Sequence, residues 1–299
     1  MTKNQHIIPK FYQIFWDCGD KYVWRLDKQR NFINRKSIGK NCSGDYVYED
    51  DPNNPDNEIE NLFNKQIEAP CSKSCKTLVT GYYCFSTVPA NIQQSLCKLF
   101  ANILTRRPEY IFENPNKNML MDKTEQYYGL QFRRKVLNNL ALMHYMDLYY
   151  VLLAIDATIY VSNEPKIVFC NQLSEQVLFA QNKLYMPLSP HLLIVFDNTK
   201  INSGWTVQTM PESIYNDFLS RIVLNQQVEY VYANNNQTIS MVQNYLHNNC
   251  TKQSANTEIN FINYISTPEI KEQIKLLSHP LTQKIHALKT ELRQGGFHV

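Results

Sequence analysis

The stretch from about Ala90 to Arg106 most constrains what this chain can fold into. Ile92, Leu96, Leu99, Phe100, Ile103 and Leu104 recur at helical spacing, and Pro108 ends the pattern. A helix with so broad an apolar face must be covered by other elements. The candidates on either side of it have a different period. Upstream, FYQIFW reads as strand-like and runs into a turn at Asp17–Asp20. KYVWRLD then sets Tyr22, Trp24 and Leu26 against Val23 and Arg25, which is hairpin patterning with Gly19 supplying the turn. SIGKNCSGDYVYED is a further loop-and-strand segment, and DDPNNPDN is a polar loop.

Helices fill the middle. EIENLFNKQIEA (58–69) follows Asn57 as N-cap and places Ile59, Leu62, Phe63 and Ile67 on one face; a longer pattern covers roughly 123–147. The second half returns to strands: YVLLAID, TIYVSN, KIVFC, KLYMPLS and HLLIVFDN, then a helix at about 212–227 and the strand VEYVYA. The tail from Thr267 reads as an amphipathic helix or helix pair kinked by Pro280. Strands, then helices, then strands predict an α+β fold with antiparallel pairing rather than a βαβ array. The expected order is N-terminal strands, a central helical bundle, C-terminal antiparallel strands and an amphipathic C-terminal helix. Residues 1–240 are expected to form a single domain and 241–299 a helical extension.

Composition supports a packed core. Of 299 residues 43% are hydrophobic, with 19 Tyr and 14 Phe, and only 8 are Gly. The net charge of +3 is too small to announce a nucleic-acid binder by itself. No run reaches the ~20 apolar residues needed to span a bilayer; the longest, LALMHYMDLYYVLLAI, is broken by His144 and Asp147. The first residues carry no signal-peptide pattern, and the 8 cysteines are scattered. A cytoplasmic protein with reduced thiols and no membrane association is expected.

Several short motifs occur in one order. H-x-x-P-x-x-Y (His6, Pro9, Tyr12) is followed by a Glu-containing helix ending at Ile67–Glu68. RRPEY (Arg106, Arg107, Pro108) comes next, then IYVSNEPKIV (159–168), MPLSPHLLIVF (186–196) and a helix ending in Leu224–Asn225. Over about residues 5–235 the chain resembles the bacterial family filed as domain of unknown function four-two-three-eight. Its members carry His-x-x-Pro, Arg-x-Pro, Ser-Asp-Asn-Pro and Pro-Leu-Ser-Pro in this order. The resemblance implies no chemistry, because the family has no assigned activity. Asn163 stands where the family usually has aspartate, and Glu164 shifts the carboxylate by one residue, toward the opposite face if the segment is a strand.

Each candidate position has two readings. His6 is a general acid/base, since imidazole titrates nearest neutrality, or a buried histidine tying down the N-terminal strand. Glu60 and Glu68, two helical turns apart, are a pair able to hold a divalent cation or share proton transfer, or a solvated helical stripe. Arg106, with Arg107 beside it, is a phosphate clamp or a helix-terminal cation. Ser162 and Asn163 line a site or close a turn. Cys71 and Cys75, with Cys84 and Cys97, match no standard zinc spacing and read as incidental thiols. RRK at 133–135 with Tyr127 and Tyr128 is a basic–aromatic surface for nucleic acid or an ordinary solvated face.

Two functions follow. One is a phosphate-directed hydrolase, which the family resemblance implies to be a nuclease-like effector in bacterial conflict or phage defence. In it His6, Glu68, Arg106 and Asn163 are catalytic, Arg107, Ser162 and Tyr12 bind substrate, and a divalent cation is conceivable. The other is a non-catalytic binding or scaffold subunit of a defence or toxin–antitoxin complex. A nucleic acid, a nucleotide or a protein is the expected partner.

Overall fold

The structure, a computed structural model, describes residues 4–45, 60–61, 63–81, 87–106, 144–180, 182–200, 204–249, 268–269 and 271–273. The expected α+β class is what these residues show. Strand β1 (Asn4–His6) pairs with β4 (Ser43–Asp45). Between them lie the short helix α1 (Lys10–Gln13), a 3₁₀ turn at Ile14–Trp16, and the hairpin of β2 (Tyr22–Asp27) and β3 (Phe32–Ser37).

FYQIFW is therefore helical, not a strand. Pro9 fixes the entry, and Ile8, Tyr12 and Trp16, four residues apart, are buried together at 0–1% exposure. Gly19 does supply a turn, at φ +107° with Asp17 Oδ1 accepting from its N–H. That turn leads from α1 into β2, whereas the hairpin itself turns at 28–31.

The segment expected as one α-helix over 58–69 takes another form. Phe63–Glu68 is a π-helical turn, and the α-helix that follows, α2 (Ala69–Gly81), runs well past it. Pro70 accounts for the wide turn, because its ring clashes with the carbonyl four residues back and no N–H is present to bond it. Cys71, Cys75 and Leu78 form the buried stripe of α2 and pack on α3 (Ala90–Thr105). The thiols are thus core side chains. Burial pushes the Cys71 thiol up to about 12 and Cys75 and Cys97 up as well, so they stay protonated and unreactive.

Residues 144–154 are helical (α4), and β5 (Asp156–Val161) follows at once. The expected strand YVLLAID is therefore the end of a helix and the start of a strand. KIVFC pairs only at its end, as β6 (Phe169–Cys170). A four-residue helix α5 (Glu175–Leu178) leads into β7 (Phe179–Ala180). The apolar runs expected as strands become β8 (Lys183–Ser189) and β9 (Leu192–Asp197). Strand β10 (Thr206–Thr209) and helix α6 (Glu212–Leu224) follow, then β11 (Tyr230–Ala233) and helix α7 (Asn236–Asn249). Helix α7 runs through the expected boundary at 240/241. Most of the expected tail helix lies outside the described residues.

Two larger sheets carry the fold. One has the order β10-β5-β9-β8-β7, antiparallel except for β10 beside β5. The other is the antiparallel sheet β3-β2-β11-β6. N-terminal and C-terminal strands are therefore not segregated: the early hairpin completes its sheet by pairing β2 with the late strand β11. Pro187 sits inside β8 where the register against β9 shifts, between Pro187 and Ser189, and the two-residue strand β7 pairs only with Lys183 and Leu184 and ends before reaching it.

Candidate functional site

Arg106 caps α3 and is 1% exposed. Its Nε donates to Asn102 Oδ1 at 2.8 Å, one helical turn back, and its Nη1 donates to the backbone carbonyl of His6 at 2.6 Å. Its Nη2 donates to Glu68 Oε1 in an ion pair whose side chains are 0% and 13% exposed. The guanidinium also lies 4.9 Å over the Phe63 ring. The π-turn makes this double contact feasible. In an α-helix, residues five apart point about 140° apart around the axis at roughly 100° per residue. A helix bonded i→i+5 returns them to one side, so Phe63 and Glu68 both meet Arg106. The same turn breaks the regular two-turn spacing that would have aligned Glu60 with Glu68.

His6 is half-buried beside this pair. Burial lowers its pKa below the ordinary 6.5, and the positive charges of Lys10 and Arg106 lower it further. Glu68 and a hydrogen bond with the Ile38 backbone oppose that shift. The imidazole is therefore mostly neutral at pH 7.

The remaining motif residues meet at a second locus, the corner where the two large sheets join. The Tyr12 hydroxyl donates to the carbonyl of Pro187, and Trp16 Nε1 donates to the carbonyl of Ile167 at 3.1 Å. The Ser162 N–H donates to the His191 carbonyl at 2.8 Å, while His191 Nδ1 lies 2.9 Å from the Ser162 carbonyl. The Ile167 N–H donates to the Pro190 carbonyl at 3.0 Å. Tyr12, Trp16, Phe169 and Tyr232 stack between these turns, with Trp16–Phe169 and Phe169–Tyr232 centroids both 4.7 Å apart.

The structure thus brings His6, Glu68 and Arg106 together and leaves Asn163 out. Asn163 is exposed and makes no hydrogen bond to any of the three. Tyr12 is fully buried, and the Ser162 hydroxyl donates internally to the Glu164 carbonyl at 2.7 Å. Every nitrogen of the Arg106 guanidinium already donates to the protein. Arg107, Cys84, Tyr127, Tyr128 and the basic run 133–135 lie outside the described residues. Among the described residues, no group of three or more His, Cys, Asp or Glu could hold a metal ion. In the same set no helix is long and apolar enough to cross a membrane.

A further polar pair escaped the sequence reading. His144 Nε2 lies 3.2 Å from Glu175 Oε2, with side chains 15% and 11% exposed. His144 falls within the helical pattern of roughly 123–147, and nothing in spacing links it to Glu175.

An α+β protein whose scattered polar motifs close on one another as internal ties is what fold and site define. The family model described as "Protein of unknown function (DUF4238)" matches residues 4–237, and the chain belongs to that family. No curated protein and no solved structure matches it.

Proposed function

We propose that the chain is a non-catalytic binding or scaffold protein, acting as a subunit of a larger complex. Its placement in bacterial defence or a toxin–antitoxin system rests on the family resemblance alone. The observation that carries the reading is the enclosure of Arg106: a cation 1% exposed, with all three nitrogens donating to Asn102, His6 and Glu68, is a tie between elements and not a phosphate clamp. The internal bonds of Tyr12 and Ser162 support the same conclusion.

One observation favours the second reading, a phosphate-directed, nuclease-like hydrolase. His6 and Glu68 are adjacent and both partly exposed, and a neutral imidazole next to a carboxylate can accept a proton. His6→Gln separates the two. In a scaffold it lowers the melting temperature and changes no cleavage of RNA, DNA or nucleotides. Cleavage by wild-type protein that disappears in a His6→Gln protein of unchanged stability would establish the hydrolase instead.

A further inference from the structure

The hairpin of β2 and β3 concentrates charge in a way the rest of the chain does not. Residues 21–40 hold seven cations (Lys21, Arg25, Lys28, Arg30, Arg35, Lys36 and Lys40) against the single carboxylate of Asp27. The whole chain carries only +3, so the remainder has a slight acidic excess. Asp27 does little to neutralise the patch: it is 6% exposed, and its Oδ1 accepts from the Arg30 backbone N–H at 3.0 Å. Glu229, next to Lys28 across the sheet, and Asp17 and Asp20, in the turn beside Lys21, Tyr22 and Arg35, are further acids near the hairpin.

Aromatic rings interleave with these cations. Phe32, 55% exposed, and Tyr22, 38% exposed, stand at opposite ends of the hairpin. Arg35 lies 5.0 Å over the Tyr22 ring and Arg25 lies 4.6 Å over the Tyr230 ring. By register Phe32, Asn34 and Lys36 share a face with Arg25 and Tyr230. Among the described residues strand β3, ~20 Å long, is an edge of its sheet.

From this arrangement we propose that the β2–β3 hairpin binds single-stranded nucleic acid. Lys36, which shares the face of Phe32, and Arg30 in the adjoining turn contact phosphates, and the Phe32 ring stacks on a base, whereas Arg35 and Tyr22 lie on the opposite face. Phosphate charge answers the patch, and exposed rings distinguish a single strand, whose bases are free to stack, from a duplex, whose bases are not. The inference rests on the binding reading above and names its partner. The hairpin is separate from the Arg106 ties, so the two are tested by different readouts.

The test is fluorescence anisotropy of a labelled oligothymidylate with the full chain, titrated at several salt concentrations and compared with a duplex and with heparin. Binding to the single strand is expected to exceed binding to the duplex. Neutralising Arg30 and Lys36 together to Gln should flatten the slope of log affinity against log salt by about 1.4, at roughly 0.7 per lost phosphate contact. Phe32→Ala should weaken binding about tenfold while heparin binding stays unchanged. Both variants should melt as the wild type does, whereas Arg106→Lys should not. The proposal is overturned if the wild type does not bind the oligonucleotide, or if the duplex binds equally well and Phe32→Ala has no effect. It also fails if neutralisation merely causes self-association at unchanged affinity, which would make these charges guards of an exposed strand edge.

Discussion

Arg106 Nη1 and the carbonyl oxygen of His6 are 2.6 Å apart in space and 100 residues apart in sequence. The bond joins the C-terminal end of α3 to the first strand, and Glu68 brings the π-turn to the same guanidinium. Breaking a buried ion pair by removing one partner costs about 3–5 kcal/mol, since the other charge is left desolvated. Lysine cannot reproduce the fork that reaches Asn102, His6 and Glu68 at once. Arg106→Lys is therefore expected to lower Tm by about 10 °C, at roughly 2–4 °C per kcal/mol for a domain of this size. Glu68→Gln retains an acceptor but leaves the buried Arg106 charge uncompensated, and should cost about as much. Thermal unfolding followed by circular dichroism measures both.

His6 should make stability depend on pH in a defined direction. The unfolded imidazole takes its proton near the ordinary 6.5, and the folded one only at lower pH because burial and neighbouring cations disfavour the charge. Between those two values the unfolded chain holds more protons, so stability rises with pH. The contribution is fully present above about 6.5 and is lost as pH falls through the folded value. His6→Gln should therefore flatten the decline in Tm between neutral and mildly acidic pH. A variant whose decline matches the wild type would show that His6 does not titrate in this way.

The position where the family resemblance implies an aspartate gives a third expectation. Asn163 is exposed and outside the Arg106 cluster. Asn163→Asp should change stability by no more than about 0.5 kcal/mol. Adding Mg²⁺ or Mn²⁺ should leave its Tm in place, because a cation stabilises only a fold that binds it. A metal-dependent rise in Tm confined to Asn163→Asp would show a cation site at this turn.

Local patterns made some of these features legible and hid others. KLYMPLS and HLLIVFDN announce β8 and β9 because both are continuous apolar runs of strand length, and α3 follows from its apolar spacing. FYQIFW misled because β-favouring aromatics masked the four-residue spacing of Ile8, Tyr12 and Trp16, which is helical. YVLLAID joins a helix end to a strand start with no glycine or proline between them to mark the change. The motif residues were identifiable as a set; of the four read as catalytic, His6, Glu68 and Arg106 meet and Asn163 does not. The internal bonding of Arg106 was not legible, because whether a guanidinium faces a cleft or three internal acceptors depends on the π-turn before Pro70 and on distant segments brought together by tertiary packing. The basic hairpin was equally hard to weigh, since a net charge of +3 conceals the uneven distribution along the chain.

Tyr12 and Trp16 sit one helical turn apart and donate to different parts of the chain, Tyr12 to the Pro187 carbonyl within β8 and Trp16 to the Ile167 carbonyl between β5 and β6. Tyr12→Phe removes one hydroxyl, keeps the ring packing and leaves the Pro187 carbonyl without its side-chain donor, a loss of about 1–3 kcal/mol. Trp16→Phe should cost more, because it also removes ring volume from contacts with Tyr12 and Phe169 at 5.1 and 4.7 Å. The two rings touch one another and share Phe169, so the double variant should depart from additivity by about 0.5–3 kcal/mol. Urea unfolding of the two single variants and the double variant measures that coupling. Strict additivity would mean that the two bonds hold independently. A clear coupling would mean that the N-terminal segment clamps the sheet corner as one unit, so that loosening either bond loosens both.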